Sequence, residues 1–175
     1  MRLRPSMLHL CLAWCALSAS LPGAPAASEG LRTECGEVRL RRLAIGKSYS
    51  VWRLAESPLV FQNLGNVTLE VRVEIVVPSH HDLRPGAQPL PDRRWVSLER
   101  AHFRLPPHAE KRTDVRLTLP YEPDLAGKTF QVEFWSNAVD ARGRRSRARV
   151  HRLLFTVAMD YRDDTEAQFS SRSGR

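Results

Sequence analysis

The chain has 175 residues, three cysteines and a formal net charge of +8. This length suits a single domain that can bury a core without disulfides. Of its residues, 27 are Lys or Arg, and nearly all of these are arginine. A GC-rich genome produces that bias as readily as a binding function does, so the charge by itself does not predict a nucleic-acid partner.

The first residues are typical of a cleavable signal peptide. Arg2 and Arg4 precede the apolar run Met7–Ala19, and Ala24-Pro25-Ala26 supplies a small-residue cleavage site. The run is shorter than the ~20 residues of a membrane-spanning helix, and no later segment approaches that length. We therefore predict a signal peptide over 1–26, export to the periplasm or cell exterior, and no transmembrane segment after cleavage. An uncleaved N-terminal anchor is the alternative.

Signal cleavage also changes the cysteine content. It removes Cys11 and Cys15 and leaves Cys35 alone in the mature chain. A single cysteine excludes an internal disulfide and leaves either an intermolecular link or a tolerated thiol. We favour the tolerated thiol, because no histidine or basic residue stands beside Cys35 to activate it.

The rest of the chain alternates between apolar and polar residues, which predicts β-strands. The clearest strand is 67–77, with valine, leucine and isoleucine on one face and mainly charged residues on the other. The turn-rich segment Gln62–Asn66 precedes it, so we predict a hairpin between strands 58–62 and 67–77. Shorter strands are predicted at 37–43, 47–54 and 94–104.

Three later stretches alternate in the same way, at 115–119, 128–139 and 150–159. In the second stretch Phe130, Val132 and Phe134 should face inward, while Gln131 and Glu133 face outward. In the third, Leu153, Phe155, Val157 and Met159 should face inward. The proline-rich segment 78–93 is predicted to be a long loop without a paired strand.

Together these patterns predict an all-β fold, an antiparallel β-sandwich of about seven to nine strands over residues 34–159. The polar segment 160–175 lacks the apolar content to order itself and is predicted to be a disordered tail.

Three segments carry a resemblance to a known class of domain. They read PLVFQNLGNVTLEVRVEIVVP, RAHFRLPPHAEKRTDVRLTLP and AGKTFQVEFWSN, and their shared landmarks are Asn63, Gly65, Phe103, Leu105, Pro107, Pro120 and Gly127–Phe134. Over about residues 45–158 this order resembles bacterial exported immunoglobulin-like domains. The resemblance implies an immunoglobulin-like sandwich with an adhesive, scaffolding or accessory role. Periplasmic pilus chaperones share that architecture, but their basic anchoring site has no convincing counterpart here.

Linear motifs for catalysis are absent from the sequence. His80-His81-Asp82 is the only cluster with metal-ligand chemistry, and adjacent residues of an extended segment point apart, so a solvated loop is the better interpretation. No Gly-x-Ser-x-Gly elbow, paired carboxylates or glycine-rich phosphate loop occurs. We predict no catalytic residues, no metal and no cofactor, with a small metal-dependent enzyme as the least favoured alternative.

A run of arginines between the last two predicted strands is the most distinctive charge feature. Its members are Arg142, Arg144, Arg145, Arg147, Arg149 and Arg152. They would form a hairpin tip that binds an acidic glycan, a lipid headgroup or an acidic protein. Alternatively, they form a solvated hairpin that deters edge-to-edge aggregation. Nucleic acid is not expected, because the chain is predicted to be exported and no aromatic residues are interleaved for base stacking.

Trp135 is the second candidate contact residue. It follows the inward Phe134, so alternation places it on the outward face. Partial cover by a neighbouring loop or tail is the favoured interpretation there, and an exposed aromatic contact is the alternative. The sequence as a whole predicts a non-catalytic exported binding or structural module of a cell-envelope or surface assembly. Its partner would be a protein or an anionic envelope surface. The alternative is a periplasmic chaperone-like protein that lends an edge strand to an exported client.

Overall fold

The computed structural model describes residues 30–34 and 36–159. The predicted signal peptide over 1–26, Cys35 and the predicted tail over 160–175 lie outside these residues. Within the described ranges, none of the helices has the length and apolar character needed to span a bilayer.

The described residues form twelve short strands. These are β1 Leu31–Thr33, β2 Glu37–Leu43, β3 Ser48–Ser50, β4 Leu59–Asn63, β5 Leu69–Val76, β6 Ala87–Pro89, β7 Val96–Leu98, β8 His102–Leu105, β9 Glu110–Thr113, β10 Val115–Thr118, β11 Thr129–Asp140 and β12 Arg149–Val157. One helix, α1, spans Val51–Ala55, and 3₁₀ turns lie at His80–Asp82, Arg93–Trp95 and Pro123–Leu125. The number of strands is larger than the predicted seven to nine, chiefly because some segments that read as one strand in the sequence are divided between two sheets.

Two layers of sheet enclose the core. One layer is a six-stranded sheet with the order β2-β12-β11-β5-β8, and β6 also pairs with β11. The other layer consists of two three-stranded sheets, β1-β4-β9 and β3-β10-β7. Asp114 alone separates β9 from β10, so one run of chain serves both small sheets. Phe61 and Leu117 of the small sheets join Phe130 and Phe155 of the large sheet in one buried core, which confirms the predicted all-β sandwich.

The long strand β11 organises the large sheet. It pairs with β12 over Thr129–Ser136 and with β5 over Glu133–Asp140. Its inward residues Phe130, Val132 and Phe134 are all buried, as predicted. The prediction that Met159 faces the core is wrong, because β12 ends at Val157 and Met159 is 81% exposed.

The predicted hairpin between strands 58–62 and 67–77 is wrong. β4 pairs with β1 and β9, whereas β5 pairs with β11 and β8, so the connection between them crosses from one layer to the other. Asn63, at 1% exposure, stabilises this crossing. Its Nδ2 donates to the carbonyl oxygens of Val67, Leu105 and Pro106, and its Oδ1 accepts from the Gly65 N–H. The turn-rich sequence therefore forms a surface corner fixed by the buried Asn63, and not a tight hairpin turn.

Two of the shorter predicted strands are interrupted. In 47–54 only Ser48–Ser50 is strand, and the chain then enters α1, whose N-cap Ser50 accepts from the Arg53 N–H. Segment 94–104 divides into β7, which joins β10, and β8, which joins β5. It divides because the chain passes between the two layers here, which single-strand periodicity cannot show.

The segment 78–93 contains a paired strand, contrary to prediction. β6 pairs in parallel with β11 at Thr129–Gln131, next to the point where β5 has ended. Gln131 fastens this crossing segment: its Oε1 accepts from the Arg84 N–H, and its Nε2 donates to the Asp82 carbonyl. As a result, Gln131 and Glu133 are buried although they point outward.

The large sheet is mixed and not wholly antiparallel as predicted. Besides β6, the edge strand β2 also runs parallel to its neighbour, β12. The parallel direction follows from the path of the chain, which passes from β1 in the small sheets across to β2 in the large sheet. The edge of β2 is irregular, with a register shift and a left-handed Arg42 at φ 58°.

Candidate functional site

The candidate site lies on the outward face of the large sheet. Residues 79–90, which include β6 and which we call the crossing segment, cover part of this face, and the candidate site is the part that they leave uncovered. We call it the open face, and its members are Glu70, Arg72 and Glu74 of β5, His102 of β8, Trp135, Asn137 and Val139 of β11, Arg145 of the following turn, and Val150 of β12. It lies at the end of the sheet nearest the connection between β11 and β12.

Trp135 is the aromatic residue of the open face. It lies opposite Val150 on β12 and Glu74 on β5, and 42% of its surface is exposed. Its indole Nε1 donates to Oε2 of Glu133 at 3.1 Å. Because both residues lie on the same face of one strand, this bond fixes the orientation of an exposed ring.

A network of charges beneath the crossing segment supports Trp135. Nε and Nη2 of Arg152 donate to Oε1 of Glu133 at 3.1 and 2.9 Å. Nη1 of Arg152 also lies 3.5 Å from Oε2 of Glu37. Glu37 in turn accepts from Nε of Arg84 at 2.8 Å. Hydrogen bonding by Arg84 outweighs partial burial and holds the pKa of Glu37 below its ordinary value. Strands β2, β11 and β12 and the crossing segment are thereby tied together behind the ring.

The turn between β11 and β12 is organised by the buried carboxylate of Asp140. Its Oδ1 accepts from the backbone N–H groups of Arg142 and Arg144, and its Oδ2 accepts from Nε of Arg144 at 2.7 Å. Burial by itself raises the pKa of Asp140. The bonds from Arg144 and Arg142 outweigh that effect, so the pKa lies below its ordinary value.

The six arginines predicted to form an anion-binding hairpin divide into two groups. Arg144 and Arg152 form ion pairs with the buried carboxylates of Asp140 and Glu133, so these two have structural partners. The other four are exposed, and their side chains have no ion pair among the described residues: Arg142, Arg145, Arg147 and Arg149. Of these four free groups, Arg145 belongs to the open face, whereas Arg149 pairs in register with the buried Ser136 and therefore lies on the other face of the sheet.

A groove of about 290 Å³ runs along the open face between β5, β8 and β11. Its lining includes Arg72 and Glu74 of β5, His102 of β8, Asn137 of β11 and Arg145 of the turn. This groove was not predicted from the sequence. The alternating pattern does place the charged residues of β5 and Asn137 of β11 on outward faces, but it does not show that β5 and β11 are neighbours in the sheet.

His80 and His81, the histidines of the His-His-Asp cluster, lie outside the groove. His80 and His81 are exposed on a 3₁₀ turn, where the Asp82 carboxylate accepts from the Ser79 hydroxyl. Over residues 30–34 and 36–159, no three His, Cys, Asp or Glu side chains converge as a metal site would require.

His151 is buried in the core and was not singled out by sequence. Its ring packs edge-on to Phe61 at 6.1 Å, and no described residue accepts from or donates to its Nε2. Burial lowers the pKa of His151, with a smaller opposing effect from the backbone of Glu34. The folded protein therefore favours the neutral imidazole.

Comparisons with known proteins establish the fold. No family model matches the chain, and no curated protein matches it. Among solved structures it is similar to the ASH/PapD-like domain of human CEP192, with a TM-score of 0.56 and 8% identity, covering 87% of this chain and 99% of that one. It is also similar to a putative carbohydrate-binding protein from Bacteroides ovatus, with a TM-score of 0.56 and 13% identity, covering 74% of this chain and 37% of that one.

Periplasmic chaperones also occur among the similar structures. The E. coli chaperone DraB aligns with a TM-score of 0.46 and 14% identity, covering 79% of this chain and 60% of that one. The fold is thus an immunoglobulin-like, PapD-like β-sandwich, which confirms the resemblance found in the sequence. At these identities the likeness concerns the fold, because the same architecture serves many functions.

Proposed function

We propose that this chain is a non-catalytic, exported binding module of a cell-envelope or surface assembly, and that it binds through the open face. The observation that carries the proposal is Trp135, an exposed ring held in place by Glu133 beside the exposed Val150. Rigid exposed aromatics are enriched at binding sites because they offer a large contact area at small cost in conformational entropy.

A second exposed tryptophan provides the comparison within the same chain. Trp52 of α1 is also 42% exposed, but its indole N–H has no partner among the described residues. It lies on the five-residue helix α1. Trp135 differs by being fixed and by lying opposite Glu74, which lines the same groove as the unpaired guanidinium groups of Arg72 and Arg145; these two groups favour an anionic partner.

Retention of envelope components on the immobilised protein tests the proposal. We expect Trp135→Ala to abolish retention and Trp52→Ala to leave it unchanged. Retention should also weaken as sodium chloride rises from about 50 to about 500 mM, because exposed charges are screened. Equal retention by the two variants would contradict the proposal.

The alternative function, a chaperone that lends an edge strand to a client, would use β2 or β8. β2 presents Arg39, Arg41 and Arg42 along an irregular edge, and β8 has four residues, with the Arg104 carbonyl bound by Nζ of Lys111. Charges, bulges and lysines at edges discourage strand addition. A client that remains bound to Trp135→Ala would nevertheless favour the edge over the open face.

A further inference from the structure

The groove of the open face presents charged groups that the protein itself does not neutralise. Arg72, Glu74 and Arg145 line it, and none of the three side chains has a hydrogen bond or ion pair with another described residue. Glu70, by contrast, is paired with Arg104 at 3.2 Å. The free charges of the groove are thus two guanidinium groups and one carboxylate.

Trp135 does not line the groove itself but lies next to residues that do. Trp135 lies opposite Glu74 in the register of β11 and β5, and Asn137 follows it on the same face about 7 Å along the strand. An apolar ring therefore adjoins a carboxylate, an amide and two guanidinium groups. The volume of about 290 Å³ is at the lower end of small-molecule sites, which run from roughly 300 to 1,000 Å³.

We propose that this groove binds an acidic saccharide. One sugar ring would lie on Trp135, its hydroxyl groups would bond to Glu74 and Asn137, and a uronate carboxylate would be bound by Arg145 or Arg72. A guanidinium fork matches a carboxylate in both charge and geometry, and the two unpaired guanidinium groups outnumber the one unpaired carboxylate of the groove, which favours an anionic ligand. The inference deepens the proposed function, since it names the partner of the same open face.

An acidic peptide fits the groove less well. Extended peptides gain most of their affinity by pairing with an unpaired sheet edge. The groove reaches the edge strand β8 only at His102 and otherwise lies over β5 and β11, both of which are interior strands with neighbours on each side. Their backbone groups are already paired, so only side chains face the ligand, and these side chains are mainly polar or charged.

Titration of the purified protein with tetragalacturonate tests the inference, with maltotetraose as the neutral probe. Calorimetry should detect the acidic tetramer, and the neutral tetramer should bind at least about tenfold more weakly, a difference near 1.4 kcal/mol. Trp135→Ala and Arg145→Ser should each weaken tetragalacturonate binding by about tenfold. The matched controls are Trp52→Ala and Arg116→Ser, an exposed strand arginine on the other layer, which should stay within about twofold.

Several results would overturn the inference. These are absence of binding at millimolar tetragalacturonate, equal binding of the neutral tetramer, or unchanged affinity in Trp135→Ala and Arg145→Ser. Circular dichroism establishes that each variant is folded, and Arg72→Ser replaces any variant that is not. If vesicles containing phosphatidylglycerol bind and tetragalacturonate does not, the ligand is a lipid headgroup and the saccharide inference fails.

The envelope assay separates this failure from failure of the proposed function. If Trp135→Ala loses retention of envelope components while tetragalacturonate does not bind, the open face is a binding surface for another partner, such as an acidic protein. If Trp135→Ala retains those components, the proposed function fails as well.

Discussion

Removal of the Glu133 carboxylate tests whether the charge network stabilises the sheet and orients Trp135. Glu133 is 5% exposed and accepts from both Arg152 and Trp135. Breaking a fully buried ion pair costs about 3–5 kcal/mol. The Arg152 side chain is 25% exposed and keeps Glu37 at 3.5 Å, so part of that cost is avoided. We expect Glu133→Ala to lower the free energy of unfolding by about 2–3 kcal/mol.

Urea unfolding followed by circular dichroism measures this loss. At a typical dependence of about 1–3 kcal/mol per molar urea, the midpoint should fall by about 0.7–3 M. Glu133→Gln keeps the volume but removes the charge, so it should lose most of the same stability. Glu110→Ala removes a carboxylate from the exposed pair with Arg112 and should leave the midpoint nearly unchanged. A Glu133→Ala midpoint equal to that of the wild type would refute the buried network.

Three further changes probe the corner, the core and the turn. Asn63→Asp should destabilise the protein more than Asn63→Ala at pH 7, because a carboxylate would face three carbonyl oxygens. The difference in melting temperature between the two variants should become smaller at pH 4, where the carboxylate is partly protonated. A difference that does not change between pH 7 and pH 4 would contradict this. Burial lowers the pKa of His151 in the folded protein. The stability that depends on its neutral imidazole is therefore complete above the ordinary pKa of 6.5, and it is lost as the pH falls through the lower pKa of the folded state. His151→Leu should flatten that part of the stability profile, and an identical profile would argue against a buried neutral ring. Arg144→Ser should lower the melting temperature by roughly 2–4 °C, because the Arg144 side chain pairs with the buried Asp140, whereas Arg147→Ser should leave it unchanged. A larger loss for Arg147→Ser than for Arg144→Ser would contradict the conclusion that Arg144 is structural and Arg147 is free.

The strands that could be predicted are those whose two faces meet different surroundings. β5 and β10 alternate because one face lies in the core and the other in water. The failures occur where the chain changes layer. The corner at Asn63 looks like a hairpin turn by composition, and only the positions of Leu105 and Pro106 show that its amide is buried.

The candidate site was partly predictable for the same reason. The outward position of Trp135 follows from alternation with Phe134. The sequence does not predict that Arg152 is ion-paired whereas Arg147 is free. That difference depends on the burial of Glu133 and on Glu37, which is far from Arg152 in sequence but lies on the neighbouring strand. Local sequence reports the charge of a side chain, but not whether the fold brings a partner to it.

The pairing of β2 with β12 determines when the domain can be completed. β2 is the first long strand of the described chain, and β12 is the last. Until residue 157 is available, Leu40 and Leu43 have no strand beside them to complete their burial in the core. Because these two strands depend on each other, cooperative folding of the domain waits until β12 has been made. A chain that has been made only as far as β11 therefore cannot yet hold β2 in the large sheet.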